Sequence, residues 1–235
     1  MSDHIVKSFD DEIAELRRLI VEMGGLAEVQ LANALAALTK RNLALADQVI
    51  RDDDKIDLLE RQVEERAITT IAKRQPMAQD LRDIMVAIRV ASDIERIGDL
   101  AKNTAKRAHA IPEALPRRLS TGLAHMGSMA QNQLNSILDA YTRRNLDEAM
   151  RVWRSDEELD ALYNSIFREL LTYMMEDPRN ISLCTHLLFG AKNLERIGDH
   201  TTNIAENIHY LVTGSTIAES RPKKDVTSMT AIKEP

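Results

Sequence analysis

Two acidic stripes, one in each half of the chain, are the residues best suited to chemistry. The segment Ile-Glu-Arg-Ile-Gly-Asp-Leu at 94–100 returns as Leu-Glu-Arg-Ile-Gly-Asp-His at 194–200, and an Asn follows four residues after each Asp. In an α-helix every fourth side chain returns to nearly the same face. The spacing therefore predicts two stripes of oxygen ligands: Glu95, Asp99 and Asn103 in the first copy, and Glu195, Asp199 and Asn203 in the second.

Oxygen donors of this kind favour a metal site. Carboxylate and amide oxygens suit Mg²⁺, Ca²⁺, Mn²⁺ or iron better than structural zinc, which usually draws on Cys and His. A helical wheel puts the apolar Ile84 and Ile88 on the same side as Glu95 and Asp99, so that the stripe continues an inward-facing surface. Because buried carboxylates need a cationic partner, we predict a metal at each stripe.

Two simpler interpretations of the stripes stay open. An acidic pair at i, i+4 is most often a solvated helix face, since charged residues seldom face inward unpaired. Alternatively, Arg96 and Arg196, one position round the wheel, could balance the carboxylates in a structural ion pair. Gly98 and Gly198 would allow another backbone or a large cluster to approach each stripe closely.

A second acidic pair recurs on the preceding helix of each copy, as Asp53/Asp57 and Asp156/Asp160. An antiparallel neighbour could bring these carboxylates next to the stripe. The more ordinary interpretation is that they are solvated residues near a helix N-terminus, and the sequence alone does not decide the register.

The duplication extends well beyond the acidic stripes and relates the first half of the chain to the second. Residues 41–57 align with 144–160 at an offset of 103, and the Gln30-Leu31 pair matches Gln133-Leu134 at the same offset. The offset falls to 100 near Pro76 and Pro178, where a loop is expected, because insertions and deletions concentrate in loops. The chain therefore contains two copies of a unit of about 100 residues. This repeat is longer than the repeats of ordinary solenoid proteins.

Residues typical of helix starts and ends predict three long helices in each copy. Because the connections between them are short, neighbouring helices must run antiparallel. We predict an all-α fold of two tandem, pseudo-repeated three-helix bundles, with six long antiparallel helices. Ser8 is the predicted N-cap of the first helix. The predicted helices are 8–40, 43–74, 76–109, 117–143, 146–176 and 178–212, with bundles over 1–110 and 117–212 and a disordered tail over 213–235.

Composition excludes several classes of protein. A net charge of −6 argues against a nucleic-acid role that rests on phosphate neutralisation. The single cysteine, Cys184, excludes a disulfide framework and fits a reducing compartment. We find no secretory signal and no apolar stretch approaching the ~20 residues of a membrane span. The sequence predicts a cytoplasmic protein without a transmembrane segment.

The repeated Glu-Arg-Ile-Gly-Asp…Asn element in two three-helix copies, over residues 5–212, resembles the PhoU family of the bacterial phosphate transport system. The resemblance implies a negative regulator of phosphate uptake and of the phosphate-starvation response, often a homodimer. It would contact the phosphate ABC transporter, peripherally on its cytoplasmic side, and a sensor histidine kinase. It also implies an iron or zinc cluster, or Mg or Mn, on the stripes in some members. Family members commonly carry His where this chain has Leu100 and His200.

The alternatives are a metal-free helical adaptor and a di-iron carboxylate enzyme. Di-iron sites need a Glu-x-x-His motif on each of two helices, with a Glu from each of two more. This chain has Glu206-x-x-His209 once, and the matching region of the first copy starts with Lys106 instead. No catalytic residue, Gly-rich phosphate loop or nucleophile–base pair emerges, so the sequence predicts a binding protein rather than an enzyme.

Overall fold

Seven α-helices make up most of the part of the chain that the computed structural model describes, residues 2–111, 115–219 and 221, with side chains from residue 10 onward. A 3-10 turn, Pro178–Asn180, precedes the last helix. No strand occurs within these ranges, and the predicted all-α fold of two three-helix repeats is confirmed. The helices are α1 (Ser2–Lys40), α2 (Leu43–Asp52), α3 (Asp54–Arg74), α4 (Gln79–Ala110), α5 (Arg117–Arg143), α6 (Leu146–Glu176) and α7 (Ile181–Thr213).

The helix starts differ most from the sequence predictions. α1 begins at Ser2, so Ser8 lies within the helix and the prediction that it is the N-cap is wrong. α4 begins at Gln79 rather than at Pro76, because Gln75 is left-handed with φ of 50° and Ala78 also has a positive φ, of 52°. The connection must therefore turn twice before the helix can start.

The predicted helix 43–74 is interrupted at Asp53, whereas its counterpart α6 is continuous. Asp53 keeps helical dihedral angles (φ −56°, ψ −40°), and its carbonyl accepts the N–H of Ile56 at 2.9 Å and that of Asp57 at 3.3 Å. The bond from Ile56 spans three residues, which is the tighter 3-10 pattern. The interruption is a local tightening that leaves the direction of the chain unchanged.

The first turn of each repeat is built in the same way. Arg41 and Arg144 end α1 and α5 with φ of 50° and 51°. Asn42 and Asn145 then cap α2 and α6, because each side-chain oxygen accepts the backbone N–H three residues on, at 3.1 and 3.2 Å. The recurring Arg-Asn dipeptide is thus a repeated helix stop and start.

The two repeats pack side by side through α1 against α5 and α4 against α7. Leu138 of α5 packs on Gly24 of α1, and its counterpart Leu35 packs on Gly127. A Cβ at Gly24 or Gly127 would lie 2.8 or 2.4 Å from the leucine side chain, so only glycine lets these helices come so close. This reciprocal exchange shows that the repeats are related by a pseudo-two-fold axis.

α4 and α7 run antiparallel across the same axis. Near one end of the pair the Gln79 amide donates to the Leu211 carbonyl at 3.2 Å. Near the middle the Asn193 amide donates to the Thr104 hydroxyl at 3.3 Å. The two helices that carry the acidic stripes are therefore in direct contact.

By length and composition α1 is apolar enough to cross a membrane, over Asp10–Lys40, which the sequence expectation missed. The core helix of a bundle passes the same test. Its large apolar side chains, among them Leu16, Ile20, Met23 and Leu31, are buried in the shared core. This burial accounts for the hydropathy of the helix.

Two regions of the predictions fall partly outside the described residues. The connection between the repeats includes 112–114, and the predicted disordered tail includes 220 and 222–235. Of the tail that is described, Ile217 packs against the core and Arg221 reaches the second acidic site.

Candidate metal centre

In the first repeat the acidic residues gather around an internal lysine. Asp53, 2% exposed, accepts a hydrogen bond from the Gln30 amide at 2.7 Å, and the same amide donates to the Gly98 carbonyl at 3.1 Å. The Lys102 ammonium donates to the other oxygen of Asp53 and lies 2.6 Å from Asp99 Oδ1. We refer to Gln30, Asp53, Asp99 and Lys102 as cluster one.

Charge balance in cluster one depends on Lys102. Burial alone would lower the pKa of Lys102, but its hydrogen bonds to Asp53 and Asp99 raise it well above its ordinary value. Nearby Glu95 and Asp57 have pKa values raised mainly by burial, with further contributions from neighbouring carboxylates. Cluster one therefore contains its own permanent cation amid excess acid.

In the second repeat the cation comes from beyond the end of α7. Arg221 donates to Asp156 Oδ2 through Nη2 at 2.8 Å and through Nε at 3.2 Å, and its Nη2 lies 2.7 Å from Asp199 Oδ1. Asp156 is 1% exposed. Thr202 stands where the first repeat has Lys102. Gln133, Asp156, Asp199 and Arg221 form cluster two.

Cluster two also contains two buried oxygens that accept no hydrogen bond from any described residue: Asp156 Oδ1 and Gln133 Oε1. Both face Gly198, where a Cβ would lie 3.0 Å from the first and 3.3 Å from the second. The Gln133 amide nitrogen donates to Ser155 Oγ at 3.2 Å, and that hydroxyl donates to the Val152 carbonyl at 2.8 Å. In this orientation the amide oxygen faces Gly198.

Burial raises the pKa of Asp156 to about 6, although Arg221 lowers it. The Arg221 guanidinium uses only one of the two carboxylate oxygens. A buried carboxylate oxygen and an amide oxygen without donors are costly, and a cation between them would remove the cost. The donor set of cluster two, all oxygen, fits a hard divalent cation.

The structure places the predicted stripe residues in several environments. Asp99 and Asp199 join the clusters, while Glu195 is buried and accepts a hydrogen bond from Lys192 at 2.8 Å. Glu95 is half-buried and Asn103 likewise. The assignment of these six residues as metal ligands stays a prediction.

Asn203 turns towards the other repeat. Its amide donates to Asp93 Oδ1 on α4 at 3.2 Å, and His200 Nδ1 lies 2.9 Å from the same oxygen. The carboxylate of Asp93 therefore links the repeats, and His200 takes part in that link rather than in cluster two.

The interpretation that arginines balance the carboxylates holds for Arg96, but only at the surface. Arg96 lies 3.4 Å from Glu95 and 3.9 Å from Asp99, but its side chain is 59% exposed, and Arg196 is exposed too. The cations that reach the buried aspartates are Lys102 and Arg221. Sequence reasoning missed both, together with the paired Gln30 and Gln133, whose recurrence at an offset of 103 was the available signal.

The ordinary interpretation of the second acidic pair, solvated residues near a helix N-terminus, is also wrong. Asp53, Asp156 and Asp160 are all buried, and Asp57 is half-buried. The antiparallel arrangement brings Asp53 beside the first stripe and Asp156 beside the second.

The single Glu-x-x-His motif does not form a di-iron site. The exposed Glu206 accepts a hydrogen bond from Trp153 Nε1 at 3.1 Å, and His209 Nδ1 lies 2.9 Å from the Ser215 carbonyl. Within the described ranges no three His, Cys, Asp or Glu side chains are already arranged around a common metal position. Lys102 and Arg221 stand between the carboxylates in the two clusters.

Comparison with known proteins settles the family. The model of the PhoU domain matches twice, over residues 20–108 and 123–208. The chain belongs to the PhoU family. Both matches fall on the repeats, so the duplication in the sequence is a duplication of this domain.

Relatives and solved structures agree over nearly the whole chain. The phosphate-specific transport system accessory protein PhoU homolog of Rhizobium meliloti is 57% identical, covering 96% of this chain and 95% of that protein. The homolog of Caulobacter vibrioides is 50% identical over 97% of this chain and its own full length. The crystal structure of PhoU from Pseudomonas aeruginosa, 41% identical, has a TM-score of 0.85 and covers 88% of this chain and 100% of that one.

Proposed function

We propose that this protein is an accessory component of a phosphate transport system and represses the phosphate-starvation response and phosphate uptake. The proposal rests on one observation: relatives described as phosphate-specific transport system accessory proteins are 57% and 50% identical to this chain over nearly its full length. A structure described as the phosphate transport system regulatory protein PhoU from Streptococcus pneumoniae supports the regulatory part, at 27% identity and a TM-score of 0.83. It covers 90% of this chain and 100% of that one.

Repression by physical contact suits this molecule better than catalysis. The family is one of accessory and regulatory proteins, and long helices present extended faces to a partner helix or loop. The proposed partners are the phosphate ABC transporter, on its cytoplasmic side, and a sensor histidine kinase, with the protein acting as a homodimer. Because a signal must be reversible, we expect contacts of about micromolar affinity.

Deleting the gene is expected to leave the phosphate-starvation response switched on in phosphate-rich medium. The repressing contact would be missing, so the kinase would signal starvation regardless of supply. The measurement is expression of a starvation-induced reporter in rich and in depleted medium, with the gene restored on a plasmid as control. Normal repression in the deletion strain would overturn the proposed function.

We further propose that a metal contributes to this function, as iron, zinc, Mg²⁺ or Mn²⁺ on the acidic residues. Cluster two supports it through the buried oxygens of Asp156 and Gln133. Cluster one fits a metal less well, because Lys102 already neutralises Asp53 and Asp99. When bound, a metal would supply a fixed positive charge that ties α6 to α7.

Asp199→Asn is expected to weaken metal binding about tenfold or more, whereas its counterpart Asp99→Asn should leave it nearly unchanged. The substitution removes a charged ligand with little change in volume, and even outer-shell changes cost about 10–100-fold in metal affinity. The measurement is elemental analysis of protein purified without chelator or an affinity-tag metal, with helicity checked by circular dichroism. Equal metal content in the native protein and both variants would overturn the role of Asp199 as a metal ligand, and absence of metal from all three would favour the metal-free adaptor.

A further inference from the structure

The two repeats neutralise their aspartate pairs with cations of different origin. Lys102 belongs to α4, three residues after Asp99, so the helix that carries Asp99 also holds the backbone of Lys102 at cluster one. Arg221 belongs to the segment after α7, which ends at Thr213. It can leave cluster two while every helix stays intact.

The two cations also differ in how well they satisfy their clusters. In cluster one both oxygens of Asp53 are bonded, one by Gln30 and one by Lys102. In cluster two both Arg221 bonds go to a single oxygen of Asp156. The second oxygen of Asp156 and that of Gln133 receive no donor from the described residues. Arg221 is therefore an incomplete occupant of cluster two.

The cavity beside Gln133 of cluster two is wider than the cavity beside Gln30 of cluster one. A cavity of about 300 Å³ between α5 and α6 is lined by Gln133 and Ser155, among others. The matching cavity of the first repeat, lined by Gln30 and Lys55 among others, measures about 40 Å³. Gln133 is therefore reached from a wider cavity than Gln30 is.

We propose that Arg221 is a tethered competitor for a divalent cation at cluster two, so that the C-terminal segment controls metal binding to the second repeat alone. This rests on the metal-binding part of the proposed function. The guanidinium holds Asp156 Oδ2 and Asp199 Oδ1, and a cation bound through Asp156 Oδ1 and Gln133 Oε1 would share the same carboxylates. The two positive charges would then lie within one buried cluster and repel each other, so that occupation by one disfavours the other. Binding of the metal releases Arg221, and holding Arg221 elsewhere strengthens metal binding by the same factor, since such coupling is reciprocal.

Arg221→Ala in the full-length protein is expected to tighten Mn²⁺ binding about tenfold. The apparent dissociation constant is the intrinsic one divided by the fraction of molecules in which the site is open, and a tenfold effect corresponds to Arg221 occupying it about nine-tenths of the time. The measurement is calorimetric titration of chelator-stripped protein with Mn²⁺, with Mn²⁺ electron paramagnetic resonance as a second readout. Lys224→Ala, which removes the same charge three residues further on, should leave the affinity unchanged.

Adding Asp156→Asn to Arg221→Ala should abolish the gain in Mn²⁺ affinity. That result would assign the gain to cluster two. An affinity unchanged by Arg221→Ala, in protein whose circular dichroism is native, would overturn the competitor role while Mn²⁺ binding by the native chain still supported the metal proposal. A gain that survives Asp156→Asn would overturn the placement in cluster two and hence the proposal. Absence of Mn²⁺ binding in both native protein and Arg221→Ala would overturn the competitor and the metal proposal together.

Discussion

Replacing Lys102 with methionine is expected to lower the free energy of unfolding by about 3 kcal/mol, because it leaves the carboxylate of Asp53 buried without its cation. Asp53 is almost fully buried, and its remaining partner, the Gln30 amide, is neutral. Methionine keeps the length of the side chain, so the loss reflects charge rather than volume. The measurement is urea unfolding followed by circular dichroism at pH 7.

Lys106→Met, on the exposed side of the same helix, and Arg96→Ala should each change the free energy of unfolding by less than about 1 kcal/mol. Adding Asp53→Asn to Lys102→Met should restore most of the lost stability, because it removes the unpaired charge. A loss below about 1 kcal/mol in Lys102→Met alone would contradict the buried ion pair.

Replacing Trp153 with alanine is expected to lower the free energy of unfolding by about 4 kcal/mol. Trp153 is 1% exposed and is the largest fully buried side chain of the described structure. Its removal would leave a cavity between α6 and α7 and would delete the hydrogen bond to Glu206. The measurement is again urea unfolding, followed by circular dichroism because the variant lacks tryptophan.

Trp153→Phe is the matched control for volume. It should cost less than the alanine variant, because it retains most of the buried ring, and the exposed Glu206 can turn to water when the indole N–H is gone. Equal losses for the two variants would show that the indole hydrogen bond, rather than packing, gives Trp153 its stabilising effect.

Trp153 also reports how the repeats unfold, because it is the only tryptophan and lies in the second repeat. In Lys102→Met the damage is in the first repeat. Coincident transitions in fluorescence and circular dichroism would indicate that both repeats unfold as one unit, as their shared core suggests.

The fold followed from local signals that the chain repeats. The second helix of each repeat starts at the predicted residue, Leu43 or Leu146, and short connections made the helices antiparallel neighbours. The helical wheel put Asp99 on the inward side of its helix, where it shares Lys102 with Asp53. The wheel could not show which helix lies across the pseudo-two-fold axis. It therefore missed that Asn203, predicted as a metal ligand, donates to Asp93 on that helix.

The cations of the two clusters could not be predicted by the same means. The wheel favoured Arg96 because it considers position on one helix, whereas a long flexible side chain is drawn to water unless packing holds it. Lys102 has no counterpart in the second copy, where Thr202 stands, so the duplication hid it. Arg221 lies in a segment whose polar composition indicated disorder, and its partner Asp156 is 65 residues away.

The reciprocal seating of Leu35 on Gly127 and of Leu138 on Gly24 has the form of a homodimer interface, in which one patch meets a copy of itself. A half-length ancestor with one repeat would have dimerised through this patch, and fusion of two copies then made the partner permanently available at high effective concentration. Once fused, each half could change alone, and the two halves now differ at Lys102 and Thr202. Because this patch is already buried between the two repeats of one chain, any dimer of the whole protein must be built on a different surface.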